Sequence, residues 1–374
     1  MKKAAKSGSA DKSRAKVYFA DMRYDRIESD RTLPAKFGRM LKQVLLAERI
    51  KGRTVGIKMH FGGGTGYTTV PTVFVRMLID AVKKAGAKSV FAMDNDPSSG
   101  IARGYTREVL GCEVVSTFGA TRKYVHTETI GYKSYDTAEL AGEAVDCDVF
   151  INLSHVKGHG ACGFGGALKN IAMGAVTGKT RSKIHHLEGG IAYDKKLCTY
   201  CKKCFRECKN GAISCDDKAR TISHFFHNCT YCQHCIMICP SRALTLEDRT
   251  FEDFARGMAL TTAAFLKKHD PADVVHINVL TEITIFCDCW GMSTPSLVPD
   301  IGIVASDDLV AVDTASLDLI KAENLLPQGL PAGRKLAKGR HLFEQIHGKD
   351  PYLMLKYLAE LGHGTSSYEL VPVK

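Results

Sequence analysis

Eight of the 14 cysteines in the chain fall in two consecutive runs, Cys198-x-x-Cys201-x-x-Cys204-x-x-x-Cys208 and Cys229-x-x-Cys232-x-x-Cys235-x-x-x-Cys239, the second followed at once by Pro240. No other feature restricts the fold so tightly. Two-residue gaps wrap three thiolates around one cubane cluster, and the fourth cysteine, three residues on, is thrown away from it towards a second cluster. Ligation is therefore expected to be crossed, with Cys198, Cys201, Cys204 and Cys239 as one set and Cys229, Cys232, Cys235 and Cys208 as the other. The runs also repeat, since Cys198-Thr199-Tyr200-Cys201 matches Cys229-Thr230-Tyr231-Cys232 and Gly211-Ala212-Ile213-Ser214 answers Arg242-Ala243-Leu244-Thr245. Each half reads as a turn-and-strand unit that cannot close a core alone. Zinc would use four-ligand sets with wider internal gaps, and an eight-cysteine disulfide framework would suit a small secreted domain.

This stretch, about residues 191 to 249, resembles a bacterial two-cluster ferredoxin. The resemblance implies a small α+β segment holding two 4Fe-4S clusters and exchanging electrons with a carrier of ferredoxin or flavodoxin type. Lys209 departs from the pattern, standing where a proline often follows the fourth cysteine.

At 374 residues, 45% apolar and 24% charged, the chain has room for roughly two domains of ordinary globular composition. Residues 1–15 read as a flexible basic arm with no apolar core of a signal peptide, and no apolar run approaches a membrane span. A cytoplasmic, reducing setting is expected, because most of the cysteines are claimed as cluster thiolates. The formal charge of +11 raises nucleic-acid binding. No helix-turn-helix, zinc-finger or aromatic RNA-binding signature accompanies it, so that reading is set aside. Residues 191–249 hold 10 Lys and Arg against 6 Asp and Glu, a positive face that would suit an acidic electron donor.

Outside this stretch the chain alternates strands and helices, which implies an α/β core with a mostly parallel sheet and flanking helices. The core is discontinuous, 16–190 and 250–374, with the cysteine segment inserted. Strands are expected at 16–24, 54–60, 89–93, 113–117, 147–153, 274–287, 301–305 and 368–373. Helices are expected at 33–50, from Pro71 to Gly86, 103–110, 251–268, 309–320 and 352–361, while 125–140 shows no clear pattern.

Ligands gather beyond the carboxyl ends of such strands, and here those ends are polar. Lys58 and His60 precede Phe61-Gly62-Gly63-Gly64-Thr65-Gly66; Asp94 opens Asp94-Asn95-Asp96-Pro97; and His155, Lys157, His159 and Cys162 surround a second glycine-rich turn before Lys169. A glycine loop leading into a helix presents backbone N–H groups to an anion, although the order of a nucleotide-binding P-loop is missing. Lysines would hold an anionic substrate while histidines ligate metal or move protons. Cys287 and Cys289, two apart on an expected strand, would share a face. They read as a third metal site, a redox pair or small buried hydrophobes. Asp307 reads as a helix cap.

Val55-Gly56-Ile57-Lys58-Met59-His60-Phe61-Gly62, Asp94-Asn95-Asp96, Ile151-Asn152-Leu153-Ser154-His155-Val156-Lys157-Gly158-His159, Gly166-Ala167-Leu168-Lys169-Asn170, Asp300-Ile301-Gly302-Ile303-Val304-Ala305-Ser306 and Val312-Asp313 together resemble the uncharacterised Fe-S centre protein family, the domain of unknown function 362. That family brings an α/β core with an internal ferredoxin segment and no settled reaction. The expectation is a redox protein whose two clusters relay single electrons between an external carrier and a polar site on the core. A further metal or a flavin is left open there, and a nicotinamide fingerprint is missing. The rival expectation is a non-enzymatic electron carrier or iron-sulfur assembly factor that uses the core as a docking platform.

Overall fold

The computed structural model describes residues 14–188, 190–225, 228 and 229, 234–246 and 250–374. Most of the basic arm and Cys232 therefore lie outside the described residues. At the centre is an eight-stranded sheet. In chain order its strands are β1 (Ala15–Asp21), β2 (Thr54–Lys58), β3 (Ser89–Asp94), β4 (Glu113–Ser116), β5 (Val149–His155), β6 (Val274–Leu280), β7 (Gly302–Ser306) and β8 (Tyr368–Pro372). Across the sheet they lie β8-β1-β7-β6-β5-β2-β3-β4. Only β7 runs against its neighbours, β6 and β1, so the sheet is mainly parallel.

Helices cover both faces. Every residue of β5 and β6 is buried, the mark of central strands read as near-continuous apolar runs. Alternation along β5 sends Val149, Ile151 and Leu153 to the side of α1 (Leu33–Val44) and α2 (Thr72–Lys84), and Phe150 to the other. That second face is closed by α3 (Ala167–Ala172), α4 (Gly178–Leu187), α5 (Phe251–Leu266), α6 (Leu309–Leu319) and α7 (Leu353–Glu360). From β2 the chain moves outward through β3 to β4, then returns to pair β5 with the opposite side of β2. The crevice above β2 and β5 is thus where strand order reverses, the usual ligand position in an open α/β sheet.

Between α4 and α5 the chain leaves the sheet. Ile191–Tyr193 pairs antiparallel with Leu244–Leu246, and Ile213–Asp216 with Thr221–His224. Ile191, Ile213, Ile222 and Leu244 share a small apolar cluster with Cys204 and Cys235, separate from the two cores on the sheet's faces.

Three expectations need correction. The strand expected over 274–287 stops at Leu280, because Glu282 adopts a left-handed backbone (φ 49°) that turns the chain away. The helix expected over 33–50 breaks after Val44, and a separate turn occupies Ala47–Ile50. The patternless 125–140 is a hairpin, Val125–Tyr132 with Tyr135–Ala141, turned at Lys133 and held to α5 by a 2.8 Å hydrogen bond between Tyr135 and Thr261.

Candidate functional site

A cavity of about 420 Å³ lies beyond the carboxyl ends of the central strands. Lys58, His60, Asp94, His155, Lys157, His159 and Lys169 all line it, as do Cys162, Cys287 and Cys289. Residues picked from separate stretches of sequence thus share one wall.

Its floor is a buried polar chain. Lys58 Nζ donates to Asp94 Oδ1 and Asn170 Oδ1, both at 2.9 Å, while the Phe61 N–H donates to the other Asp94 oxygen at 2.8 Å. Asn170 in turn donates to Asn152 Oδ1 at 2.7 Å and to the Lys58 carbonyl at 3.1 Å. Burial would push the Asp94 carboxyl up, but Lys58, His60 and the Phe61 N–H hold it well below the usual range. Burial conversely draws Lys58 down against the pull of Asp94. With the ammonium held on three sides by Asp94, Asn170 and the Met59 carbonyl, Lys58 serves mainly to neutralise this floor.

A second ion cluster sits under the loop after β6. Asp288 is fully buried and accepts from Lys157 and from Thr68 Oγ1 at 2.7 Å, with His155 Nδ1 3.4 Å away. His155 Nε2 donates to the Thr281 carbonyl at 2.6 Å, so its Nδ1 is left to accept from Lys157 at 2.9 Å and the ring is neutral. Burial and Lys157 both lower its affinity for a proton, and Asp288, despite burial, is held ionised by Lys157.

Cys287 and Cys289 do not lie on a strand. Cys287 precedes the one-turn helix Asp288–Trp290 and Cys289 is inside it, which still delivers both sulfurs to the cavity with Cys287 buried and Cys289 exposed. His60 Nε2 and Lys169 Nζ each lie 3.6 Å from Cys287 Sγ, and His159 Nε2 lies 3.6 Å from Cys289 Sγ. The sulfurs and His159 offer three ligand atoms within 4.8 Å of one another, a grouping that fits a metal by position. The Cys289 hydrogen bond, with Lys169, Lys157 and His60 nearby, draws Cys287 well below the ordinary thiol range, and Cys289 is raised in return. Lys169 is held firmly charged by the two sulfurs despite its burial.

Both glycine-rich stretches serve packing. A Cβ on Gly64 would meet the Gly291 carbonyl at 2.4 Å, and the Thr65 N–H donates to that same oxygen at 2.8 Å. The first loop is thus docked on the loop carrying the cysteines. At the second, the N–H groups of Ala167 and Leu168 both donate to Asp313, at 2.8 Å, so a carboxylate of the chain itself occupies the start of α3. At this second place the expected presentation of free N–H groups to a substrate anion is corrected. So is the expected cap at Asp307, because Asp308 accepts from the Ala311 N–H at the start of α6.

No individual weight fell at the level of sequence on Asp288, Asn152, Asn170 or on Arg181, which also lines the cavity. A signal existed for Asp288, an acid between two cysteines in an otherwise apolar run, but only the turn at Glu282 decides which way it faces.

Two smaller cavities lie in the segment outside the sheet. One is lined by Cys198, Cys201, Cys204 and Cys239. The other, about 260 Å³, is lined by Cys208, Cys229 and Cys235 together with Trp290 and Met292. Asn228, Cys229 and Trp290 also line the large polar cavity.

Fold and site define a mainly parallel α/β protein with a polar, cysteine-bearing cavity where its strand order reverses. The family model described as Domain of unknown function (DUF362) matches residues 55–318, and the chain belongs to that family. A comparison with curated proteins gives no match. Among solved structures, the chain is similar to a structural-genomics protein from Thermotoga maritima (10% identity, TM-score 0.37, 68% of this chain and 52% of that one). It is also similar to the lactate racemase apoprotein from Thermoanaerobacterium thermosaccharolyticum (13% identity, TM-score 0.32, 71% of this chain and 51% of that one). The chain spans about half the length of each. No helix among the described residues is long and apolar enough to cross a membrane.

Proposed function

We propose that the chain is an iron-sulfur redox protein that relays single electrons between a carrier protein and the polar cavity on its α/β core. The observation that carries this reading is the wall shared through Asn228, Cys229 and Trp290 between the second cysteine cavity and the cavity holding Lys169, Cys287 and Cys289. The donor sets fit the clusters, since the first cavity collects the four cysteines that crossed ligation groups together and the second collects three of its four. Cys232 lies outside the described residues. Bound there, two 4Fe-4S clusters would supply one-electron redox chemistry.

The chain's own residues do the rest. Lys58 and Asp94 neutralise each other on the floor, and Lys157, itself braced by donating to His155, holds Asp288 and so positions the loop that presents both sulfurs. Trp290, stacked on Phe286 at 4.8 Å, lines both cavities and stands between them. His60 and Lys169 face the reacting side, one to move a proton and the other to hold negative charge.

Anaerobically purified protein is expected to contain about eight irons and eight acid-labile sulfides per chain. Crossed ligation predicts that Cys204→Ala and Cys239→Ala together remove one cluster, leaving about four irons. Loss of all iron would mean uncrossed sets, and zinc without labile sulfide would end the redox reading.

A further inference from the structure

The sulfurs of Cys287 and Cys289 are surrounded by hydrogen-bond donors arranged unlike the shell of a metal ion. His159 accepts at Nδ1 from the backbone N–H groups of Ala161 and Cys162, both at 3.1 Å. The neutral ring therefore carries its proton on Nε2, the atom facing Cys289 Sγ. A histidine that ligates metal does the reverse, donating from the nitrogen that the metal leaves free. Lys169 Nζ and His60 Nε2 face Cys287 in the same way, each at 3.6 Å. Such surroundings hold a thiolate ready for exchange.

The backbone allows the two sulfurs to join. Cα atoms two residues apart lie about 5.4 Å apart on helical backbone and about 6.7 Å on extended backbone. Both separations fall inside the range that a disulfide spans. Lys169, meanwhile, makes no ion pair with a carboxylate among the described residues. Its counter-charge is the Cys287 sulfur. Oxidation would remove that charge and leave an ammonium facing the cavity uncompensated, a costly state unless another anion arrives.

We propose that Cys287 and Cys289 form a reversible dithiol-disulfide couple, and that Lys169 takes up the anionic group of a small disulfide substrate as the reaction removes the negative charge from Cys287. Cys287, the thiolate lining the cavity, attacks one sulfur of the substrate RS–SR′, forming a Cys287–SR mixed disulfide and releasing R′S⁻. Cys289 then gives up its proton and attacks the Cys287 sulfur, forming the internal disulfide and releasing RS⁻. That one proton goes to one of the two released thiolates, and the other leaves as its anion. Two equivalents of a reduced one-electron carrier protein and one proton restore the thiolate-thiol pair. That electron source rests on the function proposed above, whereas the sulfur couple does not.

The test uses full-length, anaerobically purified protein equilibrated in dithiothreitol redox buffers, quenched with an alkylating reagent and digested for mass spectrometry. The peptide carrying both cysteines is expected to pass from doubly alkylated to unalkylated and two hydrogens lighter in a single two-electron transition, about 30 mV per tenfold change. Alkylation of both sulfurs at every buffer ratio would overturn the couple. Inorganic phosphate as a probe anion is expected to raise the reductant excess needed at the midpoint by roughly tenfold, as linkage requires of an anion that favours the oxidised state. Lys169→Met should abolish that shift, and a midpoint indifferent to phosphate in the unmodified protein overturns the anion site. The reduced protein should react roughly tenfold faster with dithiodiglycolate, a dicarboxylate disulfide, than with the dication cystamine; equal or reversed rates overturn the anionic preference. Iron and labile sulfide assayed on the same sample separate the two readings. Their absence with the transition intact overturns the cluster assignment alone, and their presence with no transition overturns the couple alone.

Discussion

Asp288 is the side chain that lets two basic residues sit under the cysteine loop. It is fully buried, and Lys157 is nearly so. Asp288→Ala leaves the ammonium without its anion and is expected to cost about 3 to 5 kcal/mol, seen as a lower urea midpoint at unchanged slope. The double variant Lys157→Met with Asp288→Leu should recover most of that loss, since removing both charges spares their desolvation. Equal, additive losses would show that the pair does not interact. Lys157, His155 and His159 were legible in the sequence, because they follow an apolar strand at alternate positions and a strand end in such a sheet faces a ligand crevice. Asp288 was not legible, since its direction is set by the left-handed Glu282 and by Thr68, 220 residues away.

Among elements, α3 depends most on distant parts of the chain. It brings Lys169 and Asn170 to the cavity, and its first two N–H groups end on Asp313 of α6, up to 146 residues on. Asn278 also donates to Asp313, at 2.7 Å, yet burial still pushes its carboxyl up to about 6. An acid raised on folding contributes stability that is complete below its unfolded value of about 4 and is lost as pH rises through the folded value. Unfolding in urea should therefore show wild type losing on the order of 3 kcal/mol between pH 4 and 7 relative to Asp313→Asn. Parallel pH profiles for the two proteins would remove Asp313 as the cause. A helix beginning near Ala167 was readable from the glycines before it, but its cap was not, because a local sequence carries no mark of a carboxylate supplied by another helix. The Val125–Ala141 hairpin escaped for a related reason. Its first strand has no fully buried residue, and the buried positions of the second exist because α4 and α5 lie across the hairpin.

For the whole molecule, the sheet and the cysteine segment have separate cores, and the segment begins and ends side by side, Ile191 opposite Leu246. Replacing residues 191–246 by a short Gly-Ser link should leave a protein that unfolds cooperatively with its sheet signal in circular dichroism, while all bound iron is lost. Failure of the sheet to fold would show that the two cores depend on each other. The alternation of strands and helices made the α/β class legible, whereas the antiparallel β7 was not, since an apolar run carries no sign of its direction. The polar cavity draws Lys58 to Lys169 from before the segment and Cys287 to Trp290 from after it. During synthesis the cysteine runs are complete, and their outer ribbon can close, while the ribosome has yet to make β6 and the loop beyond it. A maturation machinery that loads metal onto nascent chains would thus meet the cysteines before the crevice beside them exists, and would have open access to the face that Trp290 later lines.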